Sequence, residues 1–232
     1  MTDSALETPP VGYARAAGFL YLVIIACGMF SEVVVRSSLI VSGDAAATAS
    51  NVAASAGLFR IGFASDVLML LSDVAIAVLF YLLLQPVNRT LALVAAAFRL
   101  TQAAVLGFNL LNYYAALLLL SGEAYVAAFA PKQLDALAML YLDLHRHGYD
   151  LGLIFFGVSS LVLGHLIARS RYIPALLGYG IMAAGTVYLA GSFALFLAPA
   201  SAPIVAPFYV VPLLAEVSLC LWLLVKGVRA RP

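Results

Sequence analysis

A chain of 232 residues with 65% hydrophobic and 10% charged residues, and a mean hydropathy of +1.07, lies far outside the range of water-soluble domains, where about a quarter of residues are charged. A net charge of +1 provides no basic arm or face, which argues against nucleic acid as a partner. The composition is that of a polytopic membrane protein, with the lipid bilayer as its main partner.

Residues 1–12 read as a short polar tail containing Asp3, Glu7 and Pro9-Pro10. It lacks a positive n-region and a small-residue cleavage pattern, so no cleaved signal peptide is expected. A spanning helix needs about 20 mostly apolar residues. Six stretches qualify and predict a single all-α transmembrane domain over residues 13–228, followed by a basic tail at 229–232.

The first span is expected over Tyr13–Val35 and the second over Leu58–Leu84. The connection from Arg36 to Gly57, rich in Ser, Ala and Thr, predicts an irregular or short-helical lid. The third span is expected over Leu91–Leu120. From Pro131, Leu134, Leu137, Ala138 and Tyr141 recur at helical spacing, which predicts an interfacial helix or a long extension of the fourth span, itself expected over Tyr149–Ala168. The fifth span, Ile173–Ala198, carries Gly178, Gly180, Gly185 and Gly191 as a small-residue face. The sixth, Pro203–Val225, should kink at Pro207 and Pro212 just before Glu216. No internal repeat supports an inverted-repeat transporter.

With six spans both termini share a side. Arg15, Arg89, Arg169, Arg171, Lys226, Arg229 and Arg231 on that side outweigh Arg36, Arg60, Lys132 and Arg146 on the other, so both termini are expected in the cytoplasm. The Asn88-Arg89-Thr90 sequon then falls in a cytoplasmic turn. Cys27 and Cys220, in different spans, are expected to be packing thiols rather than a disulfide.

Eleven polar side chains interrupt or border these spans: Glu32, Asp66, Asp73, Arg99, Gln102, Asn109, Asn112, His147, Asp150, His165 and Glu216. A centred Asp or Arg costs about 2.5–3.5 kcal/mol on insertion scales, so this many imply a polar interior between helices. Helical rise puts Asp73, Arg99 and Glu216 at ~12–16 Å from the cytoplasmic ends, with Gln102 one turn from Arg99. That predicts an inner charge cluster in which one guanidinium serves two carboxylates.

A second level, at ~27 Å, holds Glu32, Asp66, Asn109 and Asp150, and with Asn112 it predicts an outward-facing binding pocket. Asp143, His147 and Asp150 share one face of the fourth span, so Asp66, Asp143, His147 and Asp150 form a candidate ligand set for a divalent metal, the one cofactor the sequence suggests. His145 points off that face, and a hydrogen-bonded network capped by Arg60 or Arg36 would use the same residue types. No phosphate-binding glycine loop, CxxC pair or HExxH motif occurs. Lys132 and Lys226, the two lysines, lie outside the spans, which leaves no Schiff-base site.

Arg36-Ser37-Ser38-Leu39-Ile40-Val41, Gly43-Asp44-Ala45-Ala46-Ala47-Thr48-Ala49 and Phe59-Arg60-Ile61-Gly62-Phe63-Ala64-Ser65-Asp66 resemble a bacterial family of multi-pass membrane proteins known as a domain of unknown function, family 4386. The resemblance continues through Pro86-Val87-Asn88-Arg89, Phe98-Arg99-Leu100, Asp143-Leu144-His145, Gly148-Tyr149-Asp150 and Ser192-Phe193-Ala194-Leu195-Phe196. It implies one integral-membrane domain in a bacterial cytoplasmic membrane, and it carries over no activity. His147 lies outside the matching stretches.

The functional expectation is binding or transport of a small polar solute, proton or ion. A metal-dependent enzyme acting on a lipid or periplasmic substrate, and a structural accessory subunit, are the alternatives. An oligomer is compatible with the sequence.

Overall fold

The structure, a computed structural model, describes residues 11–228; the tail over residues 1–10 and the basic tail at 229–232 lie outside the described residues. Among the described residues every regular element is a helix, and six helices are long and apolar enough to cross a membrane: Val11–Leu39, Ala56–Leu84, Arg89–Leu119, Pro131–Arg169, Ala175–Leu197 and Pro199–Val225. They are the expected six. The fourth takes the extended form: the helical pattern from Pro131 and the apolar stretch from Tyr149 are one 39-residue helix.

Two spans depart from regular α-helix. In the first, Phe30–Arg36 is π-helical, and the Ser37 N–H reaches back five residues to the Glu32 carbonyl. The Ser37 hydroxyl donates to that same carbonyl at 2.7 Å, and Ser38 donates to the Val34 carbonyl at 2.7 Å. Short hydroxyl side chains thus supply donors where the widened turn leaves carbonyls open. Such insertions recur at functional sites because they re-aim the side chains that follow.

The sixth span is broken more extensively than Pro207 and Pro212 alone predict. It starts as three short turns, Pro199–Ser201, Ala202–Val205 and Ala206–Tyr209, and becomes regular only at Val210–Val225. Pro199, Pro203 and Pro207 each sit in the opening turn of one of these segments, where a missing N–H costs least.

The connection after the first span contains a helix, Ala45–Ala54, whose start is fixed by the Asp44 carboxylate accepting the Ala47 N–H at 2.9 Å. Thr48 ties it to Val41 and Asn51 ties it to Leu39. Between the fourth and fifth spans Tyr172 donates to the Leu83 carbonyl, and burial pushes its phenol up to about 12.

The residues form two compact units. One comprises Ile24–Leu71 and Ala104–Tyr149. Its core includes Val35, Val52, Phe59, Tyr113, Ala138 and Leu142, with Phe59 and Tyr113 stacked 4.0 Å apart. The other comprises residues up to Val23, Ser72–Ala103 and the chain from Asp150 onward. Within it the fourth and fifth spans touch through glycine: a Cβ on Gly178 would lie 2.5 Å from the Gly164 carbonyl and 2.5 Å from the Ala168 nitrogen. The small-residue face of the fifth span is therefore a packing face, as expected for helices that associate without a hydrophobic driving force.

Candidate functional site

In the unit of Ile24–Leu71 and Ala104–Tyr149, the π-helical turn carries Glu32 and delivers Arg36 to the interior. Arg36 Nε donates to Glu32 Oε2 and its Nη1 to Asp66 Oδ2, both at 2.7 Å. Asp66 is buried and Glu32 exposed, so one guanidinium joins an inner and an outer carboxylate. Its carbon also lies 5.9 Å from the Tyr113 ring centre, and the Tyr113 hydroxyl donates to the Phe59 carbonyl at 3.1 Å.

Asn109, Asn112 and Tyr113 share one face of the third span, three and four residues apart. Asn112 donates to Asn109 Oδ1 at 3.0 Å, and Asn109 Nδ2 donates to the His145 carbonyl at 2.7 Å. His145 Nδ1 lies 3.2 Å from Asn109 Nδ2 and 3.3 Å from the Asn109 carbonyl, so it has a donor and an acceptor within reach. Gly148 makes this fit, since a Cβ there would lie 2.1 Å from Asn109 Oδ1. Two buried atoms in the unit have no hydrogen-bond partner, Asp66 Oδ1 and His145 Nε2.

The expected pocket residues Glu32, Asp66, Asn109 and Asn112 therefore fall in this unit, in two hydrogen-bonded groups flanking Tyr113. Asp150 falls in the other unit, where it accepts from Ser192 at 3.3 Å. The candidate metal set is not assembled. Among the described residues no three His, Cys, Asp or Glu side chains are grouped to hold a metal ion. Asp66 is committed to Arg36, and His147 Nδ1 lies 2.7 Å from the Asp143 carbonyl of its own helix.

Sequence reasoning missed His145, set aside because it points off the Asp143–His147–Asp150 face. It is buried and bonded to Asn109 because the third span faces it. It also treated Arg36 as an optional cap, where the π-turn makes it the hub. Tyr113 was legible in principle, one turn beyond Asn109.

Of the expected inner charge cluster, Asp73, Arg99 and Gln102 come together in the other unit, and Arg99 pairs with one carboxylate rather than two. Arg99 Nη2 donates to Asp73 Oδ1 at 2.5 Å and Gln102 Nε2 donates to Asp73 Oδ2 at 3.2 Å, all three residues being buried. The rings of Tyr21, Phe80 and Phe156 surround the Arg99 guanidinium at 5.6, 5.9 and 4.9 Å. Burial of a cation is tolerated here because a carboxylate and three aromatic faces replace its water. Glu216 takes a different partner, accepting from the Tyr188 hydroxyl at 2.7 Å. Its charge is felt by Arg99 and Asp73, but among the described residues no cation lies within ion-pair distance of it. Arg99 also borders a narrow apolar cavity lined by Ala77, Phe80, Ala92, Ala95 and Leu166. His165 is half-buried in the fourth span.

A protein of Archaeoglobus fulgidus described as uncharacterized is 29% identical over 160 residues, which cover 69% of this chain and 80% of that protein. No solved structure matches the chain significantly. The model of the family described as Domain of unknown function (DUF4386) matches residues 16–227, which takes in both polar clusters, the last five spans and all but the first five residues of the first. The chain is a member of that family.

Proposed function

We propose that the protein binds or transports a small polar solute, proton or ion, and that the cluster of Arg36, Asp66, Tyr113, Asn109 and His145 is where the solute is held. The observation that carries this reading is the pair of partnerless buried atoms, Asp66 Oδ1 and His145 Nε2. A buried unsatisfied polar atom costs about 1–3 kcal/mol, and a bound solute with hydrogen-bonding groups recovers that cost. Polar groups retained at this expense inside apolar helices mark solute or ion sites.

His145 suits such a role in either neutral form. When Nδ1 accepts from Asn109 Nδ2, Nε2 carries the proton and donates. When Nδ1 donates to the Asn109 carbonyl, Nε2 accepts. The side chain can thus match a donor or an acceptor without moving. In this reading the protein sits in a bacterial cytoplasmic membrane with both termini inside, and the cluster opens outward.

The test is melting temperature of the purified protein against inorganic monovalent and divalent cations, ammonium, small amines and neutral polyols. Wild type is expected to be stabilised by one of these classes. Asp66→Asn, which keeps an acceptor oxygen for Arg36 but removes the charge, and His145→Phe should abolish that shift while lowering the ligand-free melting temperature only modestly. Variants that unfold on extraction, from a wild type that responds to no solute, would show the cluster to be scaffolding.

A further inference from the structure

Within the unit that begins its last segment at Asp150, polar side chains continue from the fourth span to the sixth. Asp150 accepts from Ser192, which is fully buried. The Tyr209 hydroxyl lies against Gly191, the residue before Ser192: a Cβ added to Gly191 would stand 2.3 Å from it, so only glycine admits the phenol here. Asp150 and Tyr209 are close enough to interact electrostatically. Tyr209 ends the last short turn of the broken sixth span, and its ring meets Tyr188 edge to face at 5.9 Å. Tyr188 donates to Glu216 at 2.7 Å. The charged or titratable groups that face Glu216 are Tyr188 from the fifth span, Arg99 from the third, Asp73 from the second and Tyr21 from the first.

We propose that Asp150, Tyr209, Tyr188 and Glu216 form a proton path through the fourth, fifth and sixth spans, with Glu216 as the group that stores the proton. Two observations beyond proximity support it. Arg99 already has Asp73 as its ion-pair partner, so Glu216 gains or loses a proton without breaking an ion pair. The proline-broken start of the sixth span places the Tyr209 phenol against Gly191, next to the Ser192 that donates to Asp150, an arrangement that packing alone does not require.

The elementary step conserves atoms and charge. A proton reaching the Tyr188 oxygen is taken up as the Tyr188 hydroxyl proton passes to Glu216 Oε1; the tyrosine is regenerated and the glutamate becomes the neutral acid. Net movement requires Glu216 to release the proton on the side facing Asp73 and Tyr21 rather than back to Tyr188, and a membrane potential or pH difference sets the direction. The inference rests on the reading of the chain as a membrane binding or transport protein, and names the proton as a substrate.

Purified protein in liposomes loaded with a pH-sensitive dye, under a potassium diffusion potential set with valinomycin, measures the flux. Wild type is expected to change internal pH faster than empty liposomes. Tyr188→Phe keeps the ring and removes the relay oxygen, and Glu216→Gln keeps the hydrogen bond and removes the titratable group. Each should slow the flux by about a hundredfold, the lower range for a lost proton-transfer group, and Asp150→Asn should do likewise.

The infrared carboxylic-acid band of wild type should appear on acidification, shift in Tyr188→Phe and vanish in Glu216→Gln. Flux no faster than empty liposomes, flux unchanged in both Tyr188→Phe and Glu216→Gln, or a band that ignores Tyr188→Phe would overturn the path. A melting shift that depends on Asp66, without proton flux, would remove the path and leave solute binding standing.

Discussion

Arg99 concentrates the energetics of buried charge in this protein. Its guanidinium is paired to Asp73 and enclosed by Tyr21, Phe80 and Phe156, so neither partner can be removed alone without leaving an uncompensated charge in an apolar interior. Arg99→Leu is expected to destabilise by about 3–5 kcal/mol, and Asp73→Leu by a similar amount. The double variant should cost less than the sum, a coupling that chemical denaturation in detergent measures; additive losses would mean that the aromatic faces, not Asp73, hold the arginine. This pair was legible in the sequence because helical rise from the two helix ends joined by the turn at residues 85–88 puts both residues at a similar depth. The Glu216–Tyr188 contact was not: an intramembrane tyrosine reads as an ordinary packing aromatic until its partner across the helix interface is known.

At the level of elements, the spans follow from composition alone. Apolar length fixes a spanning helix, so the expected boundaries match the observed ones within a few residues except at the fourth, where the polar residues Asp143, His145, Arg146 and His147 left an interfacial helix and a long extension of the span as alternatives and the structure takes the extension. The π-helical turn was invisible for a physical reason. It is a choice of hydrogen-bond partner five residues back instead of four, and no residue type dictates it. Its consequence is the Arg36–Asp66 pair, which is why the sequence offered Asp66 to a metal instead. Glycine contacts between the fourth and fifth spans give a prediction at this scale. Gly178→Val would drive a side chain into the Gly164 carbonyl and the Ala168 backbone, which cannot yield as a flexible side chain does. Loss of the folded protein on extraction is expected, with Gly180→Ala, whose added Cβ meets Ala215 at 3.4 Å, nearly neutral.

For the whole molecule, the orientation inferred from cation bias is testable by cysteine labelling in intact cells, after Cys27→Ala and Cys220→Ala remove the native thiols. Single cysteines at Asp44 and Lys132 should react with an impermeant maleimide from outside while one at Lys226 is protected; the opposite pattern would invert the topology. The division of the chain into two units has a further consequence, for the order in which the protein is made. The unit of Ile24–Leu71 and Ala104–Tyr149 is complete in sequence once residue 149 has been synthesised, whereas the other lacks its last 83 residues at that moment. Asp73 and Arg99 enter the bilayer on successive spans and can neutralise one another as a helical hairpin straight away. Tyr21, Phe80 and Gln102 are already on the first three spans, whereas Phe156, Tyr188 and Glu216 arrive later from the ribosome. The Asp73–Arg99 pair thus needs only the second and third spans, and Phe156 of the fourth completes the aromatic enclosure of Arg99 afterwards.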